Sequence, residues 1–143
     1  VETSLHKEAL RVILDSNALF VPLQLKIDIF EELKTLLKKS FEPVLLSPSL
    51  RELEKLATKG SPKIRKNASY ALKLADKCKL VEVNEVRADS LDDVIVRVAK
   101  EWGCPVFTND RDLRRRLRDI NVPVIYVSQK SRLEIEGRIR TPV

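Results

Sequence analysis

Val12-Ile13-Leu14-Asp15-Ser16-Asn17 decides how this chain is read. With Arg11 in front, it makes a short buried strand that stops at an acid followed by two small polar residues. An uninterrupted apolar run of this kind is the mark of a strand covered on both faces, as in a parallel sheet. The acid then stands at the strand's carboxyl end, the edge where ligands bind in open α/β sheets. Because three apolar residues hold the strand in the core, the Asp15 side chain is confined to that edge.

Working outward, the arrangement recurs. Val44-Leu45-Leu46 leads to Glu52, Val81-Glu82-Val83 leads to Asp92, and Val106-Phe107 leads through Thr108-Asn109 to Asp110. Helical patterns separate these runs. Residues 25–39 carry Ile27, Phe30, Leu33 and Leu37 at three- and four-residue steps. Ser47-Pro48 and Ser61-Pro62 each open a helix with a cap and an early proline. The second has the stripe Ile64, Ala68, Ala71, Leu72, Ala75 and Cys78, and Gly60 punctuates between the two. Ser90 starts a helix with Ile95, Val98, Ala99 and Trp102 that ends at Gly103, residues 110–117 form a short one, and residues 123–127 a fifth strand. Strands alternating with helices predict right-handed crossovers and a three-layer α/β/α domain with a parallel sheet of about five strands. The expectation is a single domain over residues 1–143, with its core at 11–127 and tails at 1–10 and 128–143.

The bulk composition agrees with a globular domain. The chain has 143 residues, 43% of them hydrophobic and only 5% aromatic, which suits an aliphatic core. No apolar stretch is long enough to span a bilayer and no secretory leader is visible, so a cytoplasmic location is expected. Cys78 and Cys104 lack metal-type spacing and read as buried thiols. The net charge of +6 permits nucleic-acid binding without showing it. Arg111, Arg114, Arg115, Arg116 and Arg118 crowd into eight residues, and Lys59, Lys63, Arg65 and Lys66 form a second basic stretch. A charged fraction of 34% also fits an ion-pair-rich surface.

Each acid has an ordinary structural explanation. Asp15 could form a turn, Glu52 a capping box with Ser49, Asp93 the same box with Ser90, and Asp110 the N-cap of the arginine-rich helix. Asp92, in a first helical turn, is favoured there by the helix dipole. Together, however, Asp15, Glu52, Asp92 and Asp110 would repel one another along one edge unless a cation neutralised them. A hard ion such as Mg²⁺ or Mn²⁺ takes oxygen ligands, keeps several waters and needs only one or two direct carboxylates. Asn17, Thr108, Asn109 and Asp112 are suited to orienting those carboxylates, and Asp93 is an alternate acid beside Asp92.

With these residues in view, the chain resembles the PIN-domain ribonuclease family. Val12-Ile13-Leu14-Asp15-Ser16-Asn17 is similar to the family's opening, the stretch Ser90 to Ala99 to its acid-led third motif, and Thr108-Asn109-Asp110-Arg111-Asp112-Leu113 to its closing one. Ser47-Pro48-Ser49-Leu50-Arg51-Glu52 stands where the second acid is expected. The likeness runs from Arg11 to Val127. It looks closer to archaeal PIN proteins and to the PIN nuclease of the eukaryotic small-subunit processome than to typical VapC toxins. No zinc-binding cysteine cluster is present.

The resemblance implies strand order 3-2-1-4-5, which sets Asp15 beside Asp110. It also implies RNA hydrolysis with one or two Mg²⁺ or Mn²⁺ ions held by Asp15, Glu52, Asp92 and Asp110, in ribosomal RNA processing or as a toxin. Between the adjacent acids Asp92 is preferred, since Asp93 has a capping role. RNA is the implied partner, with a second copy of the chain, an antitoxin or a pre-ribosome as further partners.

Phosphate contact is expected from Arg111, Arg114, Arg115, Lys130 and Arg132, because arginine binds phosphate in a bidentate manner. His6, the single histidine, precedes the first strand and is expected at the surface. Ser16 has no histidine partner, so serine chemistry is unsupported. Tyr70, Trp102, Phe107 and Tyr126 are expected in the core rather than as a base-stacking platform. Two rivals stand against the enzyme. One is a non-catalytic RNA-binding module of the same fold. The other is a phospho-acceptor receiver domain, disfavoured because Ser16 follows Asp15 and Ser128-Gln129 follows the last strand where a lysine is needed.

Overall fold

The computed structural model describes residues 9–84, 89–129 and 132–139. Its six-stranded sheet has the order β3-β2-β1-β4-β5-β6, with β1 at Leu10–Leu14, β2 at Phe41–Leu46, β3 at Lys79–Val81, β4 at Val106–Phe107, β5 at Val124–Ser128 and β6 at Arg132–Glu136. The first five are parallel and agree with the expected order. In register, Leu14 lies opposite Phe107, so Asp15 and Thr108 leave the sheet side by side.

Alternation along β1 builds a core on each face. Val12 and Leu14 point into one apolar cluster with Leu19, Ile29, Leu33, Leu53 and Phe107. Ile13 points into the other with Val44, Val94, Ile95, Val98, Leu113 and Leu117. Helices α1 (Val21–Leu25), α2 (Ile29–Leu37), α3 (Ser47–Lys59) and α4 (Pro62–Ala75) supply the first face. Helices α5 (Leu91–Trp102) and α6 (Arg111–Asp119) cover the second. Among the described residues no helix is long and apolar enough to cross a membrane.

Several expectations need correction. The helix expected over 25–39 is broken: a 3₁₀ turn at Ser16–Phe20 runs into α1, Lys26 adopts a left-handed conformation with φ 57°, and α2 starts afresh. Asp28 causes the restart, since its carboxylate accepts from the backbone N–H of Phe30 and Glu31 at 3.1 and 3.2 Å. The supposed tail contains β6, antiparallel to β5 from Val124 opposite Glu136 to Ser128 opposite Arg132. Its alternation puts Leu133 in the core, where it is 4% exposed, while Glu134 and Glu136 stay on the other side. Tyr70 and Ile64 are exposed rather than core residues, at 41% and 43%. Lys130 and His6 lie outside the described residues.

Gly60 is required by close approach. A Cβ there would lie 2.6 Å from Ile64 Cγ2 and 2.9 Å from the Leu56 carbonyl oxygen.

Candidate active site

Asp15 is almost wholly enclosed, 4% exposed, at the end of β1. One oxygen, Oδ2, accepts from the Thr108 hydroxyl at 2.8 Å and from Asn17 Nδ2 at 2.9 Å. Asn17 in turn accepts the Asn109 backbone N–H at 3.2 Å, and Asn109 accepts that of Val127 at 2.9 Å. Thr108 also accepts the Asp110 N–H at 3.0 Å. The small polar cluster after β4 is therefore a chain of hydrogen bonds that fastens the ends of β1, β4 and β5 together. Asp110 caps α6, accepting from the N–H groups of Asp112 and Leu113 at 2.8 and 3.0 Å through Oδ1. Capping occupies that oxygen, which leaves the other lone pairs of the carboxylate for a second role.

Glu52 does not form the expected capping box. Helix α3 begins at Ser47 with Leu46 at the N-cap position, so Ser49 is its third residue and cannot cap it. The Ser49 hydroxyl is instead buried with no hydrogen-bond partner among the described residues. Glu52 Oε1 accepts from the Ser16 hydroxyl at 3.0 Å, which draws the exposed carboxylate of α3 toward the end of β1. Ser47 likewise does not cap; its oxygen accepts the Val83 N–H at 3.1 Å. Ser16 was considered in the sequence only as a nucleophile, and its actual partner lies 36 residues away, beyond the reach of local pattern.

On α5 the two neighbouring acids part company. Asp93 forms the expected capping box with Ser90, through contacts of 3.0 and 3.1 Å, and its Oδ1 also meets Arg116 Nη2 at 2.9 Å. The Ser90 N–H bond and then Arg116 hold Asp93 below the usual carboxylate range. Asp92 is raised, by burial first and then by the charge of Asp110, with Asp93 and Glu52 adding to it and Arg116 opposing. Asp15 is pushed up to about 6; burial is the main cause, the Thr108 hydrogen bond works against it, and the charges of Asp92 and Glu52 add to the rise. Asp15, Glu52, Asp92 and Asp110 thus belong to one electrostatic neighbourhood.

The basic helix divides its labour. Arg114 lies 3.6 Å above the Tyr126 ring and bonds Glu136 at 3.3 Å, while Arg118 reaches the same carboxylate at 3.6 Å. These arginines tie α6 to β5 and β6. Arg111, Arg115 and Arg132 are exposed, as is Asp112. Arg116 was not singled out in the sequence. Its partner Asp93 stands on α5, a contact that no local pattern reveals.

The donors at the edge are all hard oxygens, suited to Mg²⁺ or Mn²⁺. Among the described residues no three acidic, thiol or imidazole groups are drawn together closely enough to hold an ion alone. An ion placed here would have to take most of its ligands from water. Asp15 and Asp92 are raised first by burial and further by neighbouring carboxylates, a charge that such an ion would relieve.

Several relatives and solved structures align over most of the chain. Ribonuclease VapC4 of Methanocaldococcus jannaschii is 34% identical over 130 residues, covering 90% of this chain and 98% of its own. Ribonuclease VapC9 of Archaeoglobus fulgidus is 30% identical, covering 87% of each. The rRNA-processing protein fcf1 of Schizosaccharomyces pombe is 30% identical over 86% of this chain and 62% of its own length. The structure of the PIN domain endonuclease Utp24 superposes with a TM-score of 0.75 at 29% identity, covering 93% of this chain and 96% of that one. A second structure, a domain from Methanocaldococcus jannaschii with a TM-score of 0.63 and 19% identity, supports the fold alone. The family model described as a PIN like domain matches residues 12–130, from the first buried strand past the last parallel one, and the chain belongs to that family.

Proposed function

We propose that this protein is a divalent-metal-dependent endoribonuclease whose catalytic acids are Asp15, Glu52, Asp92 and Asp110. The observation that carries the reading is the almost wholly enclosed Asp15 carboxyl at the end of β1, raised to about 6 by burial first, with the charges of Asp92 and Glu52 adding to it. A carboxyl perturbed by burial and by neighbouring acids at a strand's carboxyl end marks a candidate site. The names of the relatives point the same way, since they are ribonucleases, an endonuclease and an rRNA-processing protein. A bound Mg²⁺ or Mn²⁺ ion would supply Lewis acidity for a water and for the departing oxygen.

The chain's own residues do the rest. Asp15, fixed by Thr108 and Asn17, presents one oriented oxygen at the edge. Ser16 holds Glu52 toward it, and Asp110 is steadied by the helix it caps. Arg111, Arg115 and Arg132 offer exposed positive charge to the phosphates flanking the cut. With His6 the single histidine of the chain and placed ahead of β1, no described imidazole serves as a base. Ribosomal RNA processing is the setting we put first, from the likeness to the rRNA-processing protein fcf1. The relatives named VapC keep the alternative of a toxin restrained by an antitoxin. Growth arrest on expression, relieved by a gene encoded next to it, would favour the toxin; co-sedimentation with pre-ribosomes would favour processing. A second copy of the chain is the further partner expected.

The enzymatic test uses protein stripped with EDTA and then given Mn²⁺, with single-stranded and structured RNA. Wild type should cleave and an Asp15→Asn/Asp110→Asn double variant should not; Asn preserves the cap at position 110. Equal cleavage by both proteins, or RNA binding with no cleavage by wild type, would overturn the proposal.

A further inference from the structure

We propose that the outer face of α4 is a second RNA-docking surface, one that grips unpaired nucleotides away from the acidic edge. The proposal rests on the ribonuclease reading and adds how the protein retains its substrate. Charge is concentrated on this part of the chain. Residues 55–79 hold eight of the 27 basic residues and one of the 21 acids, a balance of +7. The remaining 19 basic and 20 acidic residues leave the rest of the chain at −1. The whole positive surplus of the protein therefore belongs to this stretch.

Helix geometry gathers that charge on one side. Lys63, Lys66, Tyr70 and Lys73 follow at steps of three, four and three, so they form one stripe along α4. All four are exposed, Tyr70 at 41%. Ala68 and Ala71 are the buried residues of the helix, which packs on α3 and on the 3₁₀ turn Ser16–Phe20. The stripe continues to Lys77, but that ammonium already lies 5.4 Å from the centre of the Phe30 ring. Among the described residues, Lys63, Lys66 and Lys73 meet no carboxylate. On α6, by contrast, Arg114, Arg116 and Arg118 are engaged by Glu136 and Asp93.

A merely solvated face would not call for this arrangement. Lys63, Arg65 and Lys66 crowd the start of α4, whose first turn holds no acid although the helix dipole favours acids there. Lys63 and Lys66, three residues apart, also repel each other. An anion on the stripe offsets both costs, and the tyrosine between the lysines indicates which anion. Tyr70 lies one turn from Lys66 and one from Lys73, about 6 and about 4.5 Å along the axis. A base can stack on the ring while the phosphates on either side meet the lysines, as in proteins that bind single strands. An acidic peptide would satisfy the lysines but leave the face of the ring unused. Bases in an A-form duplex are paired and stacked, so the ring favours unpaired RNA without reading its sequence. The stripe lies on the side of α4 away from its buried alanines, so the nucleotides it holds are not those at the cut.

The test separates binding from cleavage by using the Asp15→Asn protein in EDTA, with a fluorescent oligouridylate of about 25 nucleotides, longer than one such surface covers. Lys66→Gln/Lys73→Gln should weaken binding about tenfold and lower the salt slope by about 1.4, twice the ~0.7 of one single-strand phosphate. The same charge change at Lys39 and Lys100, exposed elsewhere on the protein, should cost less than about twofold. Tyr70→Ala should also lose about tenfold, and Tyr70→Phe, which keeps the ring, should restore binding. Equal losses from the two lysine pairs would overturn the surface, as would duplex RNA binding as tightly as the single strand. Polyglutamate displacing the RNA as well as polyuridylate of equal charge would overturn it too, by assigning the stripe to an acidic protein. Should the α4 variants lose binding while wild type in Mn²⁺ cleaves nothing, the surface stands and the ribonuclease reading falls. Cleavage by wild type with undiminished binding by the α4 variants would remove the surface alone.

Discussion

Replacing Asp15 with Asn should make the metal-free protein more stable at neutral pH, although it alters the central acid of the proposed site. The Asp15 carboxyl is 4% exposed, so solvent screens it little. Its pKa stands at about 6 against an ordinary 3.8. At about 1.4 kcal/mol for each pH unit, that difference corresponds to about 3 kcal/mol lost when the carboxyl ionises within the fold. The folded protein holds this proton more tightly than the unfolded chain does. Stability from this group is therefore fully present below the ordinary 3.8 and declines as pH rises through about 6. Asn keeps an oxygen to accept from Thr108 and Asn17 but carries no charge to oppose Asp92 and Glu52.

Urea unfolding in EDTA at about pH 4.5, 6 and 7.5 measures the effect, with the gain from Asp15→Asn reaching ~1–3 kcal/mol at the highest pH and shrinking toward the lowest. Mn²⁺ should reverse the order. At a hundredfold excess over its dissociation constant it adds about 2.7 kcal/mol to a protein that binds it, and the variant should gain much less. A variant less stable than wild type at neutral pH without metal, or a gain that is the same at every pH, would refute the account of Asp15 as a strained carboxylate.

Other perturbations address different parts of the molecule. Asp92→Asn should lower Mn²⁺-dependent RNA cleavage by about 10–100-fold or more, whereas Asp93→Asn should keep cleavage and lower the melting temperature; the opposite pattern would reassign the third acid. Thr108→Val removes a buried hydrogen bond to a charged group and should cost about 1.5–3 kcal/mol at pH 7.5, with less cost below pH 5, as read by denaturation. Leu133→Ala should cost about 2–5 kcal/mol in urea unfolding if β6 is core, and less than about 0.5 kcal/mol if residues 132–136 were only a surface tail. Cys104 is buried whereas Cys78 is half-buried rather than enclosed; with its thiol pushed up to about 11 by burial, Cys104 should alkylate far more slowly than a free thiol at pH 8, and its rapid native-state labelling would contradict that burial.

What could be read from the sequence follows from the range of the forces involved. The apolar runs ending in Asp15 and Asp110 were visible because a strand buried on both faces leaves an unbroken local signature. The break inside residues 25–39 was hidden by Ile27, which keeps the helical period although Lys26 beside it is left-handed. Asp28 followed three residues later by Glu31 was the available sign of a restart. Strand β6 escaped because Arg132-Leu133-Glu134-Ile135-Glu136 is mostly charged, yet its strict alternation is a strand pattern. Ser49 and Glu52 matched a capping box by spacing, but the box works only from the N-cap position, and Leu46 holds it. The Ser16–Glu52 and Arg116–Asp93 contacts join distant segments and left no local trace.

The adjacent acids of α5 show how an ordinary structural role can sharpen a functional one. Successive residues on a helix point about 100° apart, so Asp92 and Asp93 meet different surroundings. Asp93 spends one oxygen on the Ser90 N–H and the other on Arg116, at 3.0 and 2.9 Å. That anchoring also fixes the first turn of α5 against α6, whose N-cap is Asp110. Asp92 is then left toward the acidic edge, where burial first and then the charges of Asp110 and Glu52 raise its pKa while Arg116 restrains the rise. The two neighbours are driven in opposite directions, and carboxylates so separated by their surroundings are suited to different tasks. Capping is therefore compatible with the proposed metal site: the capped acid holds the helix that carries the uncapped one.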